Sequence, residues 1–318
     1  MKSRPKIWER GLHLSGKTIL LLLFFAPLKK YLFLSFSSGI LHMVVAVISF
    51  SLMNVFVKLA GRLPVMELVF FRCGISTVLS LAVLISIKEN PVGNNHRLLI
   101  LRGVFGTIAL LTYFITVKEM PLGTAVTIQY LSPIFTAMLA MVFLKEKIRN
   151  LQWLFFLISF SGVVLIKGFD PRISAGCLAT GIFSALASAA AYNFIRTLSG
   201  KEHPLVVVFH FQLIGAVTGL MFSVFGWVNP QGWEWFYLLM IGITTQLGQV
   251  HLTKALQKEK AASVSIIQYL GVVLAVVFGV FIFHEHYSLA SLIGLAMVVA
   301  GVVMDVWMRS SRWQKISS

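Results

Sequence analysis

Apolar runs of 18–24 residues, separated by short polar or turn-forming stretches, recur along nearly the whole chain. They lie near residues 36–57, 67–87, 98–117, 121–144, 150–167, 174–195, 205–227, 233–252, 261–283 and 287–308. About 20 apolar residues in a helix cross roughly 30 Å of hydrocarbon, so each run predicts a membrane-spanning helix. The separators, such as Gly61–Pro64, Lys88–Arg97 and Asn229–Gly232, carry charge or turn formers and leave no room for a second, soluble domain. The pattern predicts an all-α membrane protein with ten transmembrane helices.

Composition narrows the function classes. Of 318 residues, 58% are hydrophobic and 12% charged, against about 25% charged in soluble domains. Such a chain cannot cover a water-facing surface, which excludes an ordinary soluble enzyme, a disordered protein and a nucleic-acid module. The net charge of +16 sits in short loops between apolar runs and reads as a topology signal. Cys73 and Cys177 lie inside apolar runs without a CxxC pattern or a His at ligand spacing, so neither a disulfide framework nor a metal site is expected.

With the N-terminus inside, the inner segments hold 20 Lys and Arg residues and the outer ones five, namely Lys58, Arg62, Lys118, Lys167 and Arg172. The bias predicts a multi-pass protein of the cell membrane, with both termini cytoplasmic and the bacterial inner membrane as its location. Residues 1–35 form a basic N-terminal extension with an 11-residue apolar run, Thr18–Leu28, interrupted by Pro27. The run is short for a span and lacks a small-residue cleavage site. It reads as an uncleaved cytoplasmic or interfacial extension, or an upstream start, in preference to a signal peptide.

The chain also repeats itself. Residues 124–165 align with 263–304 at a constant offset of 139, and Ile128-Gln129-Tyr130-Leu131 recurs as Ile267-Gln268-Tyr269-Leu270, with Glu146 over Glu285. Upstream, Pro64–Arg72 aligns with Pro204–Gln212 and Lys58 with Arg196. This divides the chain into a first repeat of five helices at 36–167, a second at 174–308, and a cytoplasmic tail at 309–318. Because five is odd, the second repeat must cross in the opposite sense. The loops agree: Lys145–Arg149 holds three basic residues where its counterpart, His284–Ser288, holds no Lys or Arg. Inverted repeats are a transporter signature, with the substrate site near the midplane between them.

Several segments carry a family resemblance. They are Phe70–Cys73 (FFRC), Thr112–Pro133, Phe143–Lys147 (FLKEK), Ser161–Ile166 (SGVVLI), Ile282–His286 (IFHEH) and Ala300–Met304 (AGVVM). Their order, spacing and duplication resemble the EamA-type proteins of the drug/metabolite transporter superfamily over about residues 36–308. The resemblance implies a ten-helix inverted-repeat transporter without naming a substrate, although S-adenosylmethionine carriers belong to the family at large. The second half departs from the pattern at Gly271–Val272, where the first has Ser132–Pro133, which confines any proline-linked helix break to the first half.

Polar groups within spans are expensive and are the default site candidates. Asn54 in the first span has a possible mate around Tyr192 and Asn193 in the sixth; facing amides suit a polar substrate or an interhelical hydrogen bond equally well. Gln129, Tyr130 and Pro133, with Gln268 and Tyr269, suit a central cavity lined by both repeats, in preference to a polar packing seam. Gln246 and Gln249 share one face of the eighth span, with Tyr113 at comparable depth in the third. Arg72 could snorkel, pair with Glu67, or fork onto a substrate carboxylate; Arg102 is the weaker candidate for that role. Glu146 and Glu285 end the fourth and ninth spans, where a carboxylate opposes the helix dipole and needs a partner. They read as structural locks, with Lys145 and Lys147 beside one and His284 and His286 beside the other.

No acid lies in the middle of a span, and no catalytic or nucleotide-binding motif is present. The reading is therefore a secondary carrier for a small polar metabolite, an amino acid or a relative of one. It needs no cofactor, works by alternating access as a facilitator or exchanger, sits in a lipid bilayer, and acts as a monomer or homodimer. The alternatives are a membrane-embedded lipid-modifying enzyme, which lacks converging catalytic groups here, and a proton-coupled drug efflux carrier, which lacks a midspan carboxylate.

Overall fold

The computed structural model describes residues 38–144, 150–169, 173–258, 267–268 and 270–316. The N-terminal extension, Glu146 and Tyr269 lie outside the described residues. Among those described there are eleven α-helices. The first half supplies α1 (Ser38–Leu59), α2 (Val65–Ser86), α3 (His96–Glu119), α4 (Leu122–Gln129), α5 (Ser132–Leu144) and α6 (Asn150–Phe169). The second supplies α7 (Ala175–Thr197), α8 (Pro204–Ser223), α9 (Glu234–Lys258), α10 (Leu270–Phe281) and α11 (Leu289–Ile316). The protein is all-α in these residues, and α1, α2, α3, α7 and α8 with the 3-10 turn Val224–Gly226 are long and apolar enough to cross a membrane.

The helix ends follow local chemistry. Pro64 and Pro121 precede α2 and α4, and Pro204 opens α8, where a missing N–H costs nothing. Ser174 caps α7 by accepting a hydrogen bond from the Cys177 N–H at 3.0 Å. The run expected as one span at 121–144 is instead two helices, broken at Tyr130 and Leu131. There the Leu131 N–H bonds the Ile128 carbonyl and the Ile134 N–H bonds the Leu131 carbonyl, both one residue tighter than an α-helix. Pro133 is the cause: it has no N–H to offer the Gln129 carbonyl, four residues back.

Helices from the two halves pair with each other. The main contacts are α1 on α9, α3 on α7, α2 on α8, and α6 on α11, with α4 against α10. Val57, Leu68, Phe114, Ile128 and Ile134 are among the fully buried side chains of the main core, while Val78, Ile85, Leu157 and Leu289 project outward. Outward apolar residues on so hydrophobic a chain are the lipid-facing surface.

Small residues set the closest approaches. A Cβ on Gly162 would lie 2.6 Å from the Gly294 carbonyl oxygen, and one on Gly301 would lie 2.6 Å from the Phe155 carbonyl oxygen. Gly215 and Gly219 of α8, four apart, pack on Cys73 and on the Phe70 backbone of α2.

Ion pairs and caps tie loops across the halves. The Arg62 guanidinium pairs with Glu234 and donates to the Asn229 carbonyl at 2.8 Å. Glu202, between α7 and α8, accepts from the Asn94 N–H at 2.7 Å and the Asn95 N–H at 2.6 Å.

Candidate functional site

Seven helices converge on a cavity of about 120 Å³, room for several waters or a small metabolite. From the first half, α1 brings Ser51 and Asn54, α2 brings Arg72, and α3 brings Arg102 and Tyr113. Gln129 and Tyr130 line it at the end of α4, next to the backbone break. From the second half, α7 contributes Ser188 and Tyr192, α8 contributes Phe211, and α9 contributes Gln249.

The two arginines dominate the electrostatics. Arg72 is 2% exposed and Arg102 3% exposed, too deep to snorkel. Each is held over an aromatic face: the Arg102 Cζ is 4.2 Å and the Arg72 Cζ 5.7 Å from the centre of the Phe211 ring. Arg72 also lies over Phe114, and its Nη1 meets the Cys73 sulfur at 3.4 Å. The Nε of each arginine is buried without a hydrogen-bond partner, and no ion pair joins either one to a carboxylate among the described residues. Glu67, five residues before Arg72, instead accepts from the Val228 N–H at 3.0 Å. Arg72 and Arg102 lie about a third of the way along their helices; an arginine at a helix centre costs about 2.5–3.5 kcal/mol on an insertion scale, and ring stacking returns about 2 kcal/mol or less.

The neutral groups divide into occupied and open ones. Gln129 is spent on α7: its Nε2 donates to Ser188 Oγ at 2.6 Å and its Oε1 accepts from Ser184 Oγ at 2.9 Å. Asn54 Oδ1 and Gln249 Oε1 are buried without a partner. The Tyr113 hydroxyl lies beside the Asn54 amide, and Tyr192 lies near Arg102.

The other sequence candidates fall elsewhere. Gln246 is absent from the cavity lining and accepts from Ser76 and Ser80 of α2, the latter at 3.0 Å, as a clamp between α2 and α9. Pro133, Asn193 and Gln268 do not line the cavity either. Glu285 forms an ion pair with Lys58, 227 positions away. It also accepts from the Leu122 N–H at 2.9 Å, capping α4, and from the Tyr287 hydroxyl at 2.5 Å. Arg102, the weaker of the two arginine candidates, lines the cavity, as do Ser51, Ser188 and Phe211, which no feature of the sequence singles out. Arg102 lies seven positions into an apolar span, and that depth was the available signal.

Beyond the membrane-spanning helices, Glu202 is set for ionisation. Burial alone pushes its carboxyl up, but the Asn95 side chain and the Asn94 and Asn95 N–H groups outweigh this and hold it below the ordinary Glu value.

These features define a membrane-embedded multi-pass protein with a polar cavity among its helices. The model of the EamA-like transporter family matches residues 37–168 and again residues 175–307. The chain belongs to that family and is a transporter rather than an enzyme. It is 31% identical over 272 residues to the pseudopaline exporter CntI of Pseudomonas aeruginosa, covering 84% of this chain and 95% of that one. It is 29% identical over 295 residues to human solute carrier family 35 member G1, covering 86% and 81%. Against the S-adenosylmethionine uptake transporter of Rickettsia conorii it is 27% identical over 287 residues, covering 88% and 94%. A solved crystal structure shares the fold at a TM-score of 0.66 and 19% identity, covering 86% of this chain and 99% of that one.

Proposed function

We propose that the protein is a secondary carrier for a small polar metabolite, an amino acid or a related compound. Ten transmembrane helices, arranged as two inverted five-helix repeats at 36–167 and 174–308, rock about the central cavity to give alternating access. The observation that carries this reading is the cavity itself, built jointly by α1–α4 and α7–α9 and holding polar atoms that no protein group satisfies.

The packing supports the inverted repeat. Gly162 and Gly301 are mates at the offset of 139, and so are Phe155 and Gly294. A Cβ on Gly162 would lie 2.6 Å from the Gly294 carbonyl oxygen, and one on Gly301 the same 2.6 Å from the Phe155 carbonyl oxygen, the pattern expected of two copies related by a two-fold axis. Ser159 Oγ reaches the carbonyl of its own mate, Val298, at 3.4 Å, where such an axis passes. The α1–α9 and α3–α7 pairings are likewise images of each other. Arg62 and Glu202 repeat the theme, each reaching from the first loop of its half to the second loop of the other.

The positive-charge bias supports a topology with both termini cytoplasmic, in a bacterial inner membrane. A reporter after His286 is then external and one after Trp313 cytoplasmic. Among the described residues no carboxylate lines the cavity, which favours facilitated transport or exchange over a proton-coupled efflux mechanism. The similar proteins are named for different substrates and for both directions, so substrate class is argued from the site.

The test is uptake of a labelled metabolite panel into vesicles containing the purified protein. Saturable, ATP-independent uptake of a small polar compound supports the proposal. Absence of uptake for every member, with the protein folded, overturns it.

A further inference from the structure

We infer that the substrate is an organic anion, bound through a carboxylate by Arg72 and Arg102 together and through an N–H donor by Asn54 and Gln249. The inference rests on the carrier reading above and names its substrate class. Both guanidiniums are buried, line one cavity, and lie over the same Phe211 ring, so their Cζ atoms cannot be farther apart than the sum of 5.7 and 4.2 Å. Each Nε is unpartnered, and no carboxylate among the described residues neutralises either one. Arginine stays protonated and presents a planar fork that fits a carboxylate with two parallel hydrogen bonds. A cavity carrying two such forks and no acid selects against cations and leaves a neutral ligand without a counter-charge.

The second half of the recognition comes from acceptors. Asn54 and Gln249 line the cavity, and Asn54 Oδ1 and Gln249 Oε1 are buried with no donor. They suit an amine or amide hydrogen on the same ligand. An amino-acid skeleton with more carboxylates than ammonium groups satisfies both sets at once. Phosphate lacks an N–H donor for the second set.

The test is ligand-induced thermal stabilisation of the purified full chain. The probes are glutamate, succinate, glutamate dimethyl ester, lysine and inorganic phosphate, each up to high millimolar concentration. Stabilisation by glutamate, weaker stabilisation by succinate, and none by the ester or lysine are expected. Arg72→Gln and Arg102→Gln should each raise the apparent Kd for glutamate at least ten-fold while the ligand-free protein keeps its melting temperature or gains a few degrees. The gain follows because an uncompensated buried charge is removed. Stabilisation by no carboxylate, by phosphate alone, or by lysine and the ester as well as by glutamate overturns the assignment. So does unchanged glutamate binding in both variants.

A drop in ligand-free melting temperature for both variants, rescued by Lys at either position without restored binding, overturns it as well, since the arginines would then be structural. Failure of the carrier reading looks different: glutamate binds in detergent, yet no compound moves across the vesicle membrane.

Discussion

Lys58 at the end of α1 and Glu285 beyond the end of α10 form an ion pair that joins the two halves of the chain, and Glu285 also caps α4 through the Leu122 N–H at 2.9 Å. Lys58 adds a bond to the Met120 carbonyl at 2.9 Å. One small cluster thus gathers the ends of α1, α3, α4 and α10, all on the side that the charge bias assigns to the exterior. The side chains are 18% and 8% exposed, so removing one partner strands the other in a mostly dry site.

Breaking that cluster should destabilise the protein in a graded way. Glu285→Gln keeps an acceptor for the Leu122 N–H and loses the charge, for a cost of about 1–2 kcal/mol. Glu285→Leu removes both and strands Lys58, for about 3–5 kcal/mol. Thermal unfolding in detergent reads the order; equal losses would mean that the α4 cap contributes nothing.

Gln129 is the next case. Its amide is held by Ser184 and Ser188, so Gln129→Leu leaves the Ser188 hydroxyl short of a donor, while Ser184 keeps the Ala109 carbonyl at 2.7 Å. The expected loss is about 1–3 kcal/mol of stability, with transport lowered in step. A selective loss of substrate affinity at unchanged melting temperature would instead make Gln129 a direct ligand.

The glycines at the α6–α11 crossing should respond as a pair. Gly162→Ala and Gly301→Ala each place a methyl 2.6 Å from a backbone oxygen, an overpacking worth about 1–3 kcal/mol apiece. Gly176→Ala, with no atom within 4 Å, should be neutral or slightly stabilising. Melting temperatures of the three variants decide, and a large difference between the first two would count against the two-fold relation.

Glu202 gives a pH dependence. Its carboxyl is held below the ordinary Glu value, so the unfolded chain takes up its proton first as pH falls. The associated stability is complete above the unfolded value of about 4.3 and is lost as pH drops through the lower folded value. Glu202→Gln should therefore lower the melting temperature at pH 7 and flatten its fall between pH 6 and pH 3. A variant curve parallel to wild type down to pH 3 would show that these contacts do not favour the ionised form.

Much of the architecture was legible in the chain because a bilayer imposes length and hydropathy on each helix. The expected span at 36–57 is α1 at Ser38–Leu59, and 67–87 is α2 at Val65–Ser86. The break at Tyr130 was legible only as a proline, since the apolar run at 121–144 is long enough to read as one span. Direction was harder to read. In so apolar a helix nothing along the chain says which way a polar side chain points, so Gln246 and Gln249, three apart, read alike. One clamps α2 and the other lines the cavity. Partners distant in sequence were out of reach: the repeat located Glu285, but only folding brings it to Lys58.

The most direct test of the central claim is trans-stimulation in vesicles. A carrier that alternates about one cavity reorients faster when loaded, and here the empty form must reorient two uncompensated guanidiniums through a dry barrier. Preloading the interior with unlabelled substrate should therefore speed uptake of the labelled compound several-fold, and Arg72→Gln should diminish that acceleration. Uptake that is indifferent to preloading in wild type, or that fails to saturate, would contradict alternating access at this site.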